Sequence, residues 1–350
     1  MDLKKSYSGF IKTFFISLSV FLFIIASVIV LVDPFFHYHK PLFGLKAVQT
    51  KKEYQQIGAI EHLEYDSILV GSSTVMNMNT SDLDNALSCK TIKLVGNSAS
   101  TEYLCWYIEK AFEEKELLYV FYGLDVFSLF SSQSGTPVQF DNTEYIYNDI
   151  LLDDIKYVLN KDVLFEDVPY MMYNSYIDNY DEGTAYNFAQ HSVFGEHVVR
   201  DSYVPRQDIA PMRDYKDDEA IVNENMESIK TIIEEHPETQ FRFFFPTYSI
   251  LYWDRAYRNG EIEEYVYAMK LSMTELSKYE NVKFYHTDFA DESVITELDN
   301  YMDLIHGSFD INDKMAEDII NDNNYLDVDE FDKETRWLLE FDYQEYIDKN

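Results

Sequence analysis

The longest apolar stretch of the chain comes near its beginning. Residues 14–32 contain no charged side chain and are rich in Phe, Ile, Leu and Val. As an α-helix these 19 residues would span about 28 Å, close to the hydrocarbon thickness of a bilayer. We therefore predict a transmembrane helix over residues 14–32, preceded by a short tail of residues 1–13.

The charges around this run predict its orientation. Lys4, Lys5 and Lys12 precede it, and Asp33 follows it. By the positive-inside rule, residues 1–13 are cytoplasmic and the C-terminal domain is extracellular, as in a single-pass protein of the cell membrane. A cleaved signal peptide is the alternative, but its apolar region usually covers only about 7–15 residues before a small-x-small cleavage site. No such site follows residue 32. A buried core helix is a further alternative, but no charged residue interrupts the run.

The rest of the chain alternates between apolar runs and amphipathic segments. The pattern predicts strands over residues 66–70, 91–95, 117–122, 240–245 and 282–285. Between and after them it predicts helices over residues 81–87, 101–115, 219–235, 261–278 and 311–321, with Ser81 as the N-cap of the first. Strands that are apolar throughout and separated by helices indicate a parallel sheet covered on both faces.

Other segments depart from this alternation and suggest the domain organisation. Residues 33–64 follow the transmembrane helix as a juxtamembrane segment that leads into a helix, and residues 65–324 form the α/β domain. Residues 128–218 are rich in Tyr, Asn and Asp, with one helical stretch at 149–159, and we interpret them as an inserted cap. Residues 325–350 form an acidic, helical C-terminal extension.

The charge of the chain argues against nucleic-acid binding, and its cysteine content argues against a disulfide-rich fold. The chain has 63 Asp and Glu against 28 Lys and Arg, a net charge of −35. Such a field repels nucleic acid, so no nucleic-acid partner is expected. It could attract cations, although a solvated acidic surface is the simpler interpretation. With only two cysteines, Cys89 and Cys105, the chain cannot form a framework of several disulfides. A single disulfide between them is possible, but two buried free thiols are favoured.

Two short motifs carry the candidate chemistry. Gly71-Ser72-Ser73 follows the first predicted strand, and Asp303-Leu304-Ile305-His306 comes after the last. Ligands of open parallel sheets bind beyond the carboxyl ends of the strands, so both motifs are expected at one sheet edge. A serine on such a turn, with Asp-x-x-His downstream, can supply a nucleophile, a base and an orienting carboxylate. Each motif also has an ordinary interpretation, as a strand-end turn or a helix cap.

Metal and cofactor sites find little support in the sequence. His37 and His39 have no carboxylate or cysteine nearby, and interfacial packing explains them better. Glu196 and His197, together with His191, are the best remaining metal candidate and a weak one. Neither G-x-G-x-x-G nor G-x-x-x-x-G-K-[ST] occurs. No metal and no cofactor are predicted.

The ordered blocks resemble the SGNH (GDSL-like) hydrolase superfamily, in particular its membrane-anchored bacterial branch of DltD-like and envelope O-acyltransferase proteins. The resemblance covers about residues 65–125 and 240–320 and leaves out 128–218. It implies a flavodoxin-like three-layer α/β/α sandwich. It also implies Ser73 as nucleophile, His306 as base and Asp303 as its orienting partner. Gly96 lies close to the block whose glycine amide helps to form the oxyanion hole, and Asn97 or Ser98 could hold that place instead.

One position departs from the family pattern. The third block of the family usually ends in Gly-x-Asn-Asp, in which the Asn side chain donates to the oxyanion. This chain has Gly123-Leu124-Asp125-Val126. An ionised Asp125 cannot donate a hydrogen bond, so Asn97 is the alternative donor.

The sequence therefore predicts a membrane-tethered, extracytoplasmic serine acyl esterase or O-acyltransferase. The resemblance implies cell-envelope polysaccharide or teichoic acid as substrate, and a multispanning membrane acyltransferase as partner. The main alternative is a catalytically degenerate SGNH-like protein that binds glycan or scaffolds a surface complex. An unrelated flavodoxin-like binding protein is a weaker alternative.

Overall fold

The structure is a computed structural model that describes residues 2–135, 143–148, 150–214, 216, 218–287 and 292–349. The chain divides into two compact units. Unit 1 comprises Met1–Leu63 and Phe140–Glu182, and unit 2 comprises Glu64–Gln139 and Gly183–Asn350. The loop-rich stretch 128–218 is thus shared between the two units.

Unit 2 contains a five-stranded, all-parallel sheet among its described residues. Its strands are β1 (Ser67–Gly71), β2 (Thr91–Val95), β3 (Tyr119–Gly123), β4 (Gln240–Phe245) and β5 (Val282–His286). They are ordered β2-β1-β3-β4-β5, which is the flavodoxin-like order. Gly71 pairs with Val95, and Gly123 pairs with Phe244, so the strands end at a common edge. The predicted α/β class with a parallel sheet is confirmed.

The α-helices of the described residues have the following bounds: α1 (Asp2–Val32), α2 (Lys52–His62), α3 (Thr80–Leu87), α4 (Thr101–Glu114), α5 (Ile155–Val158), α6 (Val168–Tyr173), α7 (Glu196–Asp201), α8 (Glu219–Glu235), α9 (Ile250–Arg258), α10 (Ile262–Leu276), α11 (Glu292–Thr296), α12 (Phe309–Asn321), α13 (Phe331–Glu340) and α14 (Tyr343–Lys349). Two π-helical turns, Val163–Asp167 and Asn174–Asp178, flank α6.

The helices of unit 2 form a layer on each face of the sheet. Helices α4, α8 and α10 pack side by side, whereas α3 packs against α12. Parallel crossovers are right-handed, and the strand order reverses at β1. The crossover through α3 therefore lies on the face opposite the crossovers through α4, α8 and α10. The result is a three-layer α/β/α sandwich.

Several predicted boundaries coincide with the structure and others need correction. The ranges predicted for β2, β4 and α8 match their observed bounds. Ser81 is not the N-cap of α3: the side chain of Asn79 accepts from the backbone N–H of Ser81 at 3.0 Å. The helix predicted over 149–159 is reduced to α5, with residue 149 outside the described residues. Helix α9 was not predicted.

Unit 1 contains the N-terminal apolar helix α1. Residues Tyr7–Val32 of α1 form a 26-residue segment that is long and apolar enough to cross a membrane. The two histidines that follow α1 contact polar groups within unit 1. His37 Nε2 lies 3.3 Å from Asp154 Oδ1, and the ring nitrogens of His39 contact the carbonyl oxygens of Val30 and Lys40.

The two cysteines are free thiols, as favoured by the sequence. Cys105 is buried on α4, whereas Cys89 is only half-buried. Burial raises the pKa of both thiols, which keeps them protonated and poor nucleophiles.

Candidate active site

Ser73 lies on a short turn at the carboxyl end of β1. The strand ends at Gly71, and residues Ser73–Val75 form one 3-10 turn. The hydroxyl of Ser72 accepts from the backbone N–H of Thr74 at 3.3 Å and so caps this turn. Ser72 and Thr74 are buried, while Ser73 is half-buried. Of the three hydroxyl side chains, that of Ser73 is therefore the one that reaches the surface.

Two glycines make room for this turn at the ends of neighbouring strands. A Cβ atom at Gly71 would lie 2.7 Å from Val75 Cγ2, and one at Gly123 would collide with Val75 Cγ1. Val75 is fully buried. Because Gly71 and Gly123 have no side chains, Val75 packs directly against the ends of β1 and β3 and holds the Ser73 turn close to the sheet.

Asp303 and His306 lie in one compact loop. Asp303 Oδ1 accepts from the backbone N–H groups of Ile305 and His306, both at 2.9 Å. Asp303 Oδ2 lies 2.7 Å from His306 Nδ1. A carboxylate only accepts, so Nδ1 carries a hydrogen and, in the neutral imidazole, Nε2 is left as an acceptor. His306 Nε2 lies 2.8 Å from Ser73 Oγ.

The structure therefore brings together the three residues predicted as a catalytic set, which are 233 residues apart in sequence at their widest. The side chain of His306 is 16% exposed and Ser73 is half-buried, so both residues reach the surface. Burial opposes ionisation of Asp303, but the hydrogen bond and charge of His306 and the two backbone donors outweigh it. The pKa of Asp303 is consequently lowered.

The Asp303–His306 loop is fixed at its ends and in its middle. Tyr301 forms an antiparallel bridge with Gly307 across the base of the loop. In the middle, the carbonyl of Leu304 accepts from the backbone N–H of Ser249 at 3.0 Å and from its hydroxyl at 2.9 Å. Ser249 is fully buried and directly precedes α9. Ser249 could not be singled out from the sequence, because nothing in its local pattern marks it.

Asp125 lies beneath the Ser73 turn in a buried hydrogen-bond network. Its carboxylate accepts from Thr74 Oγ1 at 3.0 Å and from the hydroxyl of Tyr248 at 2.6 Å. Burial raises the pKa of Asp125, and hydrogen bonds from Ser72, Tyr248 and Thr74 oppose that rise. The Asp125 carboxylate is therefore an acceptor that holds the Ser72–Thr74 turn.

The predicted oxyanion residues at the end of β2 differ in their surroundings. The backbone N–H of Gly96 donates to the carbonyl of Gly71 at 3.2 Å, which extends the β1–β2 ladder. Asn97 and Ser98 follow with exposed side chains, and Ser98 has a left-handed φ of 46°. Because the Gly96 amide already has a partner, Asn97 remains the candidate donor from this segment.

An aromatic residue that the sequence did not single out contacts the imidazole. The ring of Phe188 meets that of His306 edge to face, with centroids 5.3 Å apart. The backbone N–H groups of Phe188 and Ala189 both donate to Asn77 Oδ1 at 3.0 Å. Asn77 follows the turn that carries Ser73. The same segment of chain therefore positions both Ser73 and Phe188, the residue that packs against His306.

In the weak metal candidate of Glu196, His197 and His191, the Glu196 carboxylate has another partner. Glu196 Oε1 accepts from Arg200 Nε at 2.7 Å within α7. Among the described residues, no group of three or more His, Cys, Asp or Glu side chains is arranged to hold a metal ion.

No protein-family model matches the chain, and no curated protein matches it. Among solved structures, the chain is similar to one described as "a putative platelet activating factor from Streptococcus pneumonia". That match has a TM-score of 0.39 and 11% sequence identity, and it covers 77% of this chain and 91% of the other. A likeness of this size carries no argument about function.

Proposed function

We propose that the chain is a membrane-tethered serine acyl esterase or O-acyltransferase of the SGNH kind, with its catalytic unit outside the cell. Ser73 is the nucleophile, His306 the base and Asp303 its orienting carboxylate. The observation that carries the proposal is the pair of contacts at His306: 2.8 Å to Ser73 Oγ and 2.7 Å to Asp303 Oδ2. A serine hydroxyl becomes a competent nucleophile when a positioned base can take its proton.

Acylation follows from this geometry. Ser73 Oγ forms a bond to the carbonyl carbon of the acyl donor while its proton passes to His306 Nε2. Asp303 holds the Nδ1 hydrogen and stabilises the imidazolium. When the tetrahedral intermediate collapses, the leaving oxygen takes the proton from Nε2 as its bond to the carbonyl carbon breaks. Ser73 is left as an ester.

The tetrahedral intermediate needs donors for its oxyanion. The backbone N–H of Ser73 lies at the junction between β1 and the following turn, and the amide side chain of Asn97 is the second candidate. Loss of a single such donor costs about 2.7–4 kcal/mol in other enzymes. Asp125 does not compete for this role, since its carboxylate accepts from Thr74 and Tyr248.

Deacylation reverses the proton path. A hydroxyl or water gives its proton to His306 Nε2 and attacks the ester, and Ser73 Oγ recovers the proton as it leaves. We propose an acetyl or D-alanyl group and, as acceptor, a hydroxyl of a cell-envelope glycan or teichoic acid. The membrane tether supports this choice because a fixed enzyme meets envelope substrates rather than diffusible ones. The resemblance adds a multispanning acyltransferase as donor partner.

Labelling with a serine-directed fluorophosphonate tests the proposal. The full chain, purified in detergent, is labelled beside Ser73→Ala and His306→Ala, and the site is mapped by mass spectrometry. His191→Ala serves as a matched control, because His191 is an exposed histidine outside the triad. Label on Ser73 in the wild type and the control, and its loss in both other variants, is the expected result.

The opposite result would overturn the catalytic assignment. If folded wild-type chain takes up no label at Ser73, or if His306→Ala labels as fast as wild type, the serine is not activated. The non-catalytic glycan-binding function would then be favoured.

A further inference from the structure

Unit 1 contains a helical segment with an unusually apolar exposed side. The π turn Val163–Asp167, helix α6 and the π turn Asn174–Asp178 follow one another without a break. Val163, Val168 and Met171 point into unit 1 and are buried. The opposite side is exposed and mostly aromatic: Phe165, Tyr170, Met172, Tyr173, Tyr176 and Ile177.

A second exposed apolar group precedes this segment in unit 1. Leu151 and Leu152 are 81% and 85% exposed, and Ile150 and Ile155 beside them are more than half exposed. We refer to residues 150–155 and to the exposed side of 163–177 together as the apolar face. Large exposed apolar surfaces mark interaction sites in folded proteins.

Charge is nearly absent from the helical part of this face. Within the described stretch 163–177 the charged residues are Glu166 and Asp167. Asp167 is paired with Lys51 at 2.7 Å and is only partly exposed. A partner that binds here must therefore be recognised through apolar and aromatic contacts rather than through ion pairs.

The apolar face is joined to the end of α1. Both α5 and the π turn Val163–Asp167 pack against α1. Ile29 in the last turns of α1 is fully buried, whereas Phe21 and Phe23 are 59% and 73% exposed. The buried contact is thus confined to the end of the apolar helix, where a membrane-spanning segment would leave the hydrocarbon.

A hydrogen-bond network fixes this junction. Asp33 follows α1 directly, and its carboxylate accepts from the backbone N–H groups of His37, Tyr38 and His39 at 2.7–3.0 Å. It also accepts from the hydroxyl of Tyr157, on α5, at 2.8 Å. The position of helix α5 along the axis of α1 is therefore fixed at the C-terminal end of α1.

We propose that the apolar face lies in the bilayer interface, at the boundary between lipid headgroups and acyl chains. Tyrosine side chains favour this region because they combine an apolar ring with a polar hydroxyl. A helix with one apolar side lies in the plane of the interface with that side buried in lipid. The apolar character of the face means that zwitterionic lipid is sufficient. The chain would thus be held by a spanning helix and by an interfacial surface of unit 1.

Accessibility of spin labels in the full chain tests this proposal. Single labels are placed through Leu152→Cys, Phe165→Cys or Tyr176→Cys in a Cys89→Ser background, with the buried Cys105 retained. The chains are reconstituted into phosphatidylcholine vesicles, and collisions with oxygen and with a water-soluble nickel chelate are measured. Val204→Cys is the matched control, since Val204 is an apolar residue of unit 2 that is 87% exposed. Phe21→Cys, on α1, sets the scale for bilayer depth.

We expect oxygen collisions to exceed nickel collisions at all three positions of the face, and the reverse at Val204. Labels on the face that collide with nickel as often as the label at Val204 would overturn the proposal. Low collision rates with both reagents would overturn it too, because protein, such as a second copy of the chain, would then cover the face. The proposal also fails if nickel reaches the label at Phe21, because it depends on α1 lying in the bilayer.

Discussion

Tyr248 and Ser249 are neighbours in the chain, and their hydroxyl groups bind to opposite sides of the candidate active site. The Tyr248 hydroxyl donates to Asp125, which in turn holds the turn that carries Ser73. The Ser249 hydroxyl donates to the carbonyl of Leu304, between Asp303 and His306. Two consecutive residues after β4 therefore link the turn that carries Ser73 to the loop that carries His306.

The first prediction concerns the Tyr248 side of this link. In Tyr248→Phe the Asp125 carboxylate loses its shortest hydrogen bond, at 2.6 Å. Because small misplacements of reacting groups are costly, we expect the labelling rate at Ser73 to fall about 10- to 100-fold. Unfolding in urea, followed by tryptophan fluorescence, should show a loss of about 1–3 kcal/mol, as expected for an unsatisfied buried acceptor.

Tyr343→Phe separates the local effect from general destabilisation. Tyr343 is also buried in unit 2, and its hydroxyl donates to the carbonyl of Leu338 at 2.7 Å. Its removal should cost similar stability and leave the labelling rate unchanged. Equal labelling rates in the two variants would argue against the positioning role of Tyr248.

The regular elements could be predicted from the sequence because they depend on local patterns. β2 and β4 are short apolar runs, and α8 has apolar residues at helical spacing, so their bounds followed directly. The proximity of Ser73, Asp303 and His306 could be predicted because Ser73 and the Asp303–His306 loop each belong to a short motif at a strand end.

The supports of the site could not be predicted because they depend on contacts between distant segments. From the sequence, Asp125 suggested only that an oxyanion donor is missing. In the structure it accepts hydrogen bonds from Thr74 and Tyr248, which are 51 and 123 residues away. The contact of Phe188 with His306 joins the inserted stretch to the final loop. Neither contact leaves a periodic or motif-like trace in the sequence.

The second prediction tests the role of Asp125 by replacing its carboxylate with an amide. In Asp125→Asn, one carboxylate oxygen becomes an NH2 group that faces donors such as Thr74 Oγ1, at 3.2 Å from Oδ2. We expect labelling at Ser73 to slow and the free energy of unfolding to fall by about 1–3 kcal/mol. Fluorophosphonate labelling rates and urea denaturation measure the two effects.

Asp318→Asn is a matched control for neutralising a buried carboxylate. Asp318 accepts from Thr287 at 2.7 Å and from Asn324 at 2.9 Å, and burial raises its pKa as it does that of Asp125. This variant should lose stability without slower labelling. Faster labelling in Asp125→Asn than in wild type would mean instead that position 125 faces the oxyanion.

The third prediction tests the packing of Val75, in the Ser73 turn, against Gly123 at the end of β3. In Gly123→Ala the new methyl group collides with Val75 Cγ1, so the turn must move away from the sheet. We expect lower stability and slower labelling of Ser73. Val75→Ala removes the colliding methyl groups, so the double variant Gly123→Ala/Val75→Ala should label faster than Gly123→Ala alone. A double-mutant cycle on both readouts measures this coupling, and additive effects would contradict it.

The fourth prediction concerns stability in acid. His286 at the end of β5 is 4% exposed, and burial lowers its pKa from 6.5 to about 4. Between these two values the unfolded chain binds a proton that the folded chain does not. The free energy of unfolding therefore rises with pH across this window, and this stabilisation is lost as the pH falls from 6.5 towards 4. A shift of this size corresponds to about 3 kcal/mol.

Urea denaturation from pH 7 to pH 4 measures this contribution. Trp106, Trp253 and Trp337 all belong to unit 2, so their fluorescence follows the unit that contains His286. His286→Gln has no proton to bind, so its free energy of unfolding should depend less steeply on pH than that of the wild type. The two curves should converge as the pH falls, because only the wild type must exclude a proton from the folded state. Parallel curves would mean that another group causes the acid sensitivity of unit 2.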